Sequence, residues 1–166
     1  GRYVRYRQHC TRVLCADAER SAFFDFYQSG DASLRLDCGS RIEGIGRPRV
    51  EASFLPKVID AMVKGPEAPA LAAMHDRAER LGRRVGGSSG TNLVGALVAA
   101  QQMRAAGESG SIVAILCDGG ERYATTYYDQ AWLAAQGYGL EDLIAAVAAS
   151  VERGEPLPDS ILRANI

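Results

Sequence analysis

The sequence lacks two features that would point to particular classes of protein. Its longest apolar runs, such as residues 143–149, fall far short of the roughly 20 residues that a helix needs to cross a bilayer. Charge of one sign is also missing, because 19 basic residues are balanced by 20 acidic ones and the net charge is −1. We therefore expect one domain of 166 residues with no membrane span and no nucleic-acid partner.

Metal-binding patterns of cysteine and histidine are absent as well. The four cysteines form no C-x-x-C pair, and neither histidine has a spacing suited to zinc, so no metal site is expected. Cys15 and Cys117 fall inside apolar stretches, which predicts buried, reduced thiols and a cytoplasmic location. His9 and His75 lie in polar helical surroundings, and we expect both to be solvated.

Lysine is scarce, since Lys57 and Lys64 are the only two in the chain. Lys57 follows a proline in an irregular segment, and Lys64 precedes a Gly-Pro break. A lysine that reacts as an amine at neutral pH needs desolvation or a lowered pKa. Neither lysine lies in the glycine- or hydroxyl-rich sequence typical of a pocket, so we predict that neither is catalytic.

Residues 111–123, SIVAILCDGGERY, form the most distinctive stretch of the chain. The apolar, largely β-branched run at 111–117 has no polar alternation, which predicts a strand covered on both faces within a parallel sheet. Ligands of such sheets bind beyond the carboxyl ends of the strands, where Asp118, Gly119 and Gly120 form a turn. The alternative is a tight turn whose glycines merely supply positive φ.

Strands alternate with helices along the rest of the chain, which predicts an α/β fold with a largely parallel sheet flanked by helices. The predicted elements are strands at 11–16 and within 57–64, helices at 17–26, 67–81, 93–103, 129–136 and 140–151, and a loose proline-rich tail at 154–166.

Two further stretches are rich in glycine. Residues 40–46, SRIEGIG, place two glycines around Ile45, which indicates backbone close to another group. Residues 86–92, GGSSGTN, predict a turn whose free N–H groups, at the start of a helix, favour an anion. The alternative is that Ser89 or Thr91 simply caps that helix.

These motifs, taken in order, resemble the cysteine synthase and cystathionine β-synthase family of pyridoxal-phosphate (PLP) enzymes. The matching runs are residues 40–46, residues 85–90 (VGGSSG) and residues 115–123 (ILCDGGERY), and the resemblance covers the chain from Gly1 to about Gly139. The run GIGRPRVE at 44–51 is most similar to actinobacterial cysteine synthase-like proteins, which include a cysteine desulfhydrase.

The resemblance implies part of a fold-type II enzyme with PLP as cofactor and a small-molecule amino-acid substrate. The implied reaction is β-elimination or β-replacement on cysteine or an O-activated serine. The family serine that contacts the pyridine nitrogen aligns with a glycine here. The implied residues are Gly44, Ile45 and Gly46 facing the substrate, Asp118, Gly119 and Gly120 binding the cofactor, and Gly87, Ser88, Ser89, Gly90 and Thr91 in a supporting loop.

The resemblance also implies what this chain does not carry. The family's Schiff-base lysine, phosphate loop and ring-contacting asparagine would all precede Gly1. We therefore expect residues 1–153 to be the carboxyl-terminal part of a PLP enzyme domain, with a tail at 154–166 and no catalytic residue of its own. The full-length parent is expected to be a homodimer.

Two other functions stand as alternatives to this one. The chain could be a non-catalytic α/β module that binds an anion or a partner chain through its glycine-rich turns. A nucleotide-binding domain is disfavoured, because no G-x-x-x-x-G-K-[ST] motif occurs.

Overall fold

The structure, a computed structural model, describes residues 1–158 and 161. Parallel strands and flanking helices confirm the predicted α/β class. Within these ranges, no helix combines the length and apolar content needed to span a membrane. The elements are α1 (Arg2–Tyr6), β1 (Leu14–Ala18), α2 (Ala22–Ser29), β2 (Ala61–Gly65), α3 (Glu67–Leu81), α4 (Gly87–Ala105), α5 (Gln130–Ala135) and α6 (Glu141–Arg153), with 3₁₀ turns at Pro56–Val58 and Glu121–Tyr123.

Strands β1 and β2 form a two-stranded parallel sheet, in which Leu14 lies opposite Ala61. Helix α4 packs on this sheet at Gly95. A Cβ atom at Gly95 would lie 2.8 Å from the Cβ of Ala16, so a side chain at this position would push the helix away from β1. Helix α3 packs along α4, and α6 packs on α3.

Helix α4 begins earlier than predicted, and the prediction of a turn at 86–92 is wrong. Gly86 is the N-cap, no side chain caps the helix, and the residues from Gly87 onward are helical. A Cβ atom at Gly90 would collide with the carbonyl oxygen of Ala70, so this glycine allows α3 and α4 to touch. The residues expected in a supporting loop but found within α4 are Gly87, Ser88, Ser89, Gly90 and Thr91.

The central strand predicted at 111–117 is also wrong for this chain. These residues belong to no sheet in the described part of the chain, and they are exposed; the exposed fraction is 90% for Val113 and 69% for Ile115. A β-branched composition favours strand backbone, but a strand also needs a neighbour that accepts and donates its hydrogen bonds. Strand β1 pairs with β2 and not with this segment.

Two apolar clusters form the core, one beside the amino-terminal end of α4 and one between β2, α4 and α6. Leu157 and Ile161 are buried in the second cluster, so the prediction of a loose tail is wrong for these two residues. The tail positions 159–160 and 162–166 lie outside the described residues. The first cluster contains Ile42, Ala70, Leu71, Met74, Val85, Tyr123, Tyr127, Leu133 and Leu140.

The cysteines and one histidine differ from expectation. All four cysteines are free, but three are exposed and only Cys15 is half-buried, because the strand expected to bury Cys117 does not form. Burial and the nearby Asp17 raise the pKa of the Cys15 thiol to about 11. His75 is half-buried and not solvated: its Nε2 lies 2.8 Å from the carbonyl oxygen of Tyr127, and burial lowers its pKa.

Candidate functional site

The three glycine-rich motifs meet at the amino-terminal end of α4. Ile42 packs on Gly87, where an added Cβ atom would lie 2.9 Å from the Ile42 Cγ2. The Gly86 amide donates a hydrogen bond of 3.1 Å to the carbonyl oxygen of Asp118. We call this meeting point of residues 40–46, 85–87 and 118–120 the glycine junction. It brings together the implied substrate-facing and cofactor-binding residues from distant parts of the sequence.

The turn at 118–120 has one glycine that is required by space and one that is not. A Cβ atom on Gly120 would lie 2.6 Å from both the Arg84 Cβ and the Val85 carbonyl oxygen. The three atoms nearest to a Cβ on Gly119 would all belong to the carboxylate of Glu121, at the end of a flexible side chain. Neither glycine has positive φ. The alternative that they serve a positive-φ turn is therefore wrong, and close backbone contact explains Gly120.

Asp118 is exposed, but its carboxylate contacts Tyr123 and lies beside Gly86. Its Oδ2 accepts a hydrogen bond of 2.7 Å from the Tyr123 hydroxyl, and the same carboxylate occupies the space in which a Gly86 side chain would lie. Burial and this hydrogen bond raise the pKa of Tyr123. The carboxylate lies where the α4 dipole stabilises negative charge. The Asp118 carboxylate therefore lies at the amino-terminal end of α4, where the sequence predicts that an anion is favoured.

Glu67 anchors the loop at 40–46. It is the first residue of α3, and its side chain is buried, with 5% exposure. Its carboxylate accepts hydrogen bonds from the Ser40 hydroxyl (2.9 Å), the Arg41 amide (2.6 Å), the Arg41 Nε (2.9 Å) and the Tyr138 hydroxyl (2.6 Å). Burial alone would raise the pKa of Glu67, but these hydrogen bonds hold it below its ordinary value. A buried carboxylate therefore fixes the base of the loop.

The two glycines of this loop have left-handed backbones, with φ of +87° at Gly44 and +72° at Gly46. No atom lies within 4 Å of the position that a Gly44 side chain would take, and Gly44 is exposed. Gly46 is buried against Ser40, whose amide donates a hydrogen bond of 3.1 Å to the Gly46 carbonyl oxygen. Gly46 closes the loop, while Gly44 is the exposed glycine of this part of the glycine junction.

Tyr127 joins this loop to the segment after the 118–120 turn. Its hydroxyl donates to the Arg41 carbonyl oxygen and accepts from the Glu43 amide, both at 2.9 Å. Its ring stacks on that of Tyr123 with centroids 4.7 Å apart, and its carbonyl oxygen contacts His75. Tyr127 therefore ties the loop at 40–46 to the segment that follows the 118–120 turn.

Sequence reasoning misses Glu67 and Tyr127. An acidic residue in the first turn of a helix is common because it complements the helix dipole, so nothing local marks Glu67 as buried. The hydroxyl-rich run at 122–128 is the available signal for Tyr127, but its partners lie more than 80 positions away.

Neither lysine lies at the glycine junction. The Lys64 Nζ hydrogen-bonds to both carboxylate oxygens of Asp25, at 3.1 and 3.0 Å, and Lys57 is exposed in a 3₁₀ turn. The small residues of the glycine junction suit close approach of a flat ring to backbone, so they fit one side of a PLP site. They supply no amine to which the cofactor could be attached.

No family model matches the chain. Comparisons with individual proteins do identify its relatives. It is 53% identical over 137 residues to L-cysteine desulfhydrase Cds1 of Mycobacterium tuberculosis, covering 82% of this chain and 37% of that protein. It is 28% identical over 128 residues to cysteine synthase 1 of Emericella nidulans, covering 76% of this chain and 34% of that protein.

The fold agrees with these relatives. The crystal structure of cysteine synthase from Entamoeba histolytica superposes with a TM-score of 0.61 at 19% identity, over 87% of this chain and 40% of that one. The chain spans little more than a third of the length of the curated relatives it matches. By its sequence relatives, the chain matches part of a PLP-dependent member of the cysteine synthase family.

Proposed function

We propose that the glycine junction forms one side of the PLP site of an enzyme that performs β-elimination or β-replacement on cysteine or an O-activated serine. The observation that carries this proposal is the meeting of the three family motifs at the start of α4. The identity of 53% to a cysteine desulfhydrase supports a substrate of the cysteine class.

In this proposal the residues 118–120 hold the cofactor. PLP, when bound, withdraws electron density from an amino acid so that a group on its β-carbon can leave. Because Gly119 has no side chain, its backbone would be open to the ring of the cofactor. Asp118 keeps its carboxylate on Tyr123 and Gly120 is pressed on Val85, so both act by fixing the position of Gly119.

The loop at 40–46 orients the substrate. Gly44 is exposed, Ile45 is half-buried against the first apolar cluster, and Gly46 is buried at the base of the loop. Glu67 and Tyr127 act as positioning residues, because each hydrogen-bonds backbone of this loop without reaching its accessible side. A rigid loop excludes water from one face of the substrate, and it keeps the amino acid in a single orientation.

The reactive amine, in this proposal, comes from polypeptide outside this chain. Lys64 is paired with Asp25, and Lys57 is exposed in its 3₁₀ turn away from the glycine junction. The non-catalytic alternative would leave the glycine junction without a cofactor. Binding of a free anion there is disfavoured, because the Asp118 carboxylate lies beside the same helix end.

A chimera tests the proposed function. This chain replaces the matching region of the M. tuberculosis desulfhydrase, and sulfide release from cysteine and cysteine formation from O-acetylserine plus sulfide are both measured. We expect PLP-dependent turnover in one of the two assays, which also separates elimination from replacement. A chimera that folds and dimerises like the parent but binds no PLP would contradict the proposal.

We make two further proposals, one on location and one on assembly. The free state of all four cysteines supports a cytoplasmic location. We propose that the full-length protein is a homodimer that needs no metal, and analytical ultracentrifugation of the chimera measures that state.

A further inference from the structure

The carboxylate of Glu121 fills the space beside Gly119. If Gly119 carried a side chain, its Cβ atom would overlap the Glu121 Oε2, and the Oε1 would lie 3.9 Å away. Glu121 begins the 3₁₀ turn that directly follows the 118–120 turn, so a short stretch of backbone keeps its side chain beside Gly119. A carboxylate oxygen therefore lies where the first side-chain atoms of residue 119 would otherwise be.

This carboxylate is exposed and available for a contact. Within residues 1–158 and 161, the Glu121 side chain forms no hydrogen bond and no ion pair. Its charged neighbours in sequence are engaged elsewhere, because Asp118 accepts from the Tyr123 hydroxyl and Arg122 pairs with Glu43. The exposed groups of the glycine junction are those that would face a bound cofactor. Of the two acidic side chains in residues 118–122, Glu121 is therefore the one free to contact it.

Among the polar groups of PLP, only the ring nitrogen suits a carboxylate. The phosphate is anionic and the ring hydroxyl ionises, so a carboxylate beside either would meet charge of its own sign. The aldehyde is the group to which an amine attaches. The ring nitrogen is basic, and an acidic side chain stabilises its protonated form through a charge-assisted hydrogen bond.

We propose that the Glu121 carboxylate contacts the ring nitrogen of PLP and holds a proton on that nitrogen. The inference rests on the proposed function, in which residues 118–120 hold the cofactor. The resemblance aligns a family serine with Gly119, and the carboxylate occupies the space that such a side chain needs. This chain would thus present an acid in place of a hydroxyl. A protonated ring nitrogen makes the cofactor a stronger electron sink.

An ion pair with Arg84 is the competing role for Glu121. The Arg84 Cβ packs against Gly120, and its guanidinium lies 5.2 Å from the centroid of the Tyr128 ring. In the described part of the chain the two charged groups form no ion pair. An exposed pair of this kind would contribute little to stability, and it would leave the protonation of the cofactor unchanged.

Nitrogen NMR of the loaded chimera tests the contact without measuring activity. The chimera described above is loaded with PLP whose ring nitrogen is isotopically labelled, and the chemical shift reports whether that nitrogen carries a proton. We expect a protonated nitrogen in the unsubstituted chimera and an unprotonated one in Glu121→Gln. Gly119→Ser displaces the carboxylate, so it should also leave the nitrogen unprotonated while PLP stays bound. The same protonation state in the unsubstituted chimera and in Glu121→Gln would overturn the proposal.

A cofactor analogue in which a C–H group replaces the ring nitrogen gives a second readout. Glu121→Gln should weaken PLP binding about five-fold or more, because a charge-assisted hydrogen bond is lost. It should change binding of the analogue less than about two-fold, since the analogue has no nitrogen to protonate. Glu108→Gln, an exposed acid beyond the far end of α4, is the control and should affect neither ligand. Equal weakening of PLP and the analogue by Glu121→Gln would overturn the proposal.

These experiments separate the inference from the proposed function. A chimera that binds no PLP contradicts the proposed function, and this inference with it. A chimera that binds PLP with an unprotonated ring nitrogen contradicts the inference alone.

Discussion

The Tyr138 hydroxyl donates a hydrogen bond of 2.6 Å to the Glu67 Oε2, across 71 positions of sequence. The same carboxylate holds the Arg41 amide and guanidinium, and the guanidinium lies 4.4 Å from the centroid of the Tyr138 ring. The loop at 40–46 and the end of α5 are therefore tied to the start of α3 by one buried acid. The shape of the glycine junction depends on this contact.

Replacing Glu67 with glutamine should destabilise the fold by about 2–3 kcal/mol, as for a buried acceptor of charged hydrogen bonds. The new amide nitrogen would face donors at a position where the Glu67 carboxylate oxygens accept four hydrogen bonds. Urea unfolding measures the change. Glu79→Gln, on the exposed part of α3, is the matched control and should change stability by less than about 0.5 kcal/mol. Equal effects would show that the buried carboxylate does not hold the loop.

The contribution of Glu67 should depend on pH. Its pKa is lower in the folded chain than the ordinary value of 4.5. The folded state therefore binds fewer protons, so the stabilisation is complete above about pH 4.5 and is lost as pH falls through the folded pKa. The difference in unfolding free energy between the native chain and Glu67→Gln should shrink as the solution is acidified below about pH 4.5. A difference that stays constant down to about pH 3 would contradict the assignment.

The neighbouring glycines of the 118–120 turn should respond differently to serine. Gly120→Ser should cost about 1–3 kcal/mol, because its Cβ would overlap the Arg84 side chain and Val85 backbone. Gly119→Ser should be nearly neutral, since the Glu121 carboxylate can move aside. Thermal unfolding of both variants gives the comparison.

The same Gly119→Ser substitution probes cofactor binding in the chimera. The resemblance aligns a serine of the family with this position, so we expect PLP affinity to rise or stay unchanged, as measured by fluorescence titration. A sharp loss of affinity would mean that the cofactor needs the bare backbone of Gly119, and it would revise the role proposed for this residue.

Local patterns predict the elements that local forces determine. The apolar stripe of α3 and the Gly-Pro break before it predict a helix at 67–81, and the structure has Glu67–Leu81. The prediction fails for the run at 111–117 because a strand requires a partner that no local pattern supplies. It fails for residues 87–92 because glycine serves a helix contact as readily as a turn, and only the distance from Gly90 to Ala70 decides which.

The candidate site also contains some residues that the sequence reveals and others that it does not. Its glycines can be found from the sequence, because few residue types tolerate close approach or a left-handed backbone. Glu67 and Tyr127 cannot, because their importance lies in hydrogen bonds to distant backbone. The remaining site residues stay predictions until a cofactor is bound.

The central claim is that this chain supplies one side of a PLP site and no reactive amine. The direct measurement is borohydride reduction after incubation with PLP, followed by peptide mass mapping, for this chain alone and for the chimera. The visible absorbance of the linked cofactor is recorded before reduction. We predict no stoichiometric adduct on this chain alone, and in the chimera an adduct that maps to a lysine outside these residues. A stoichiometric adduct at Lys57 or Lys64 would contradict the claim.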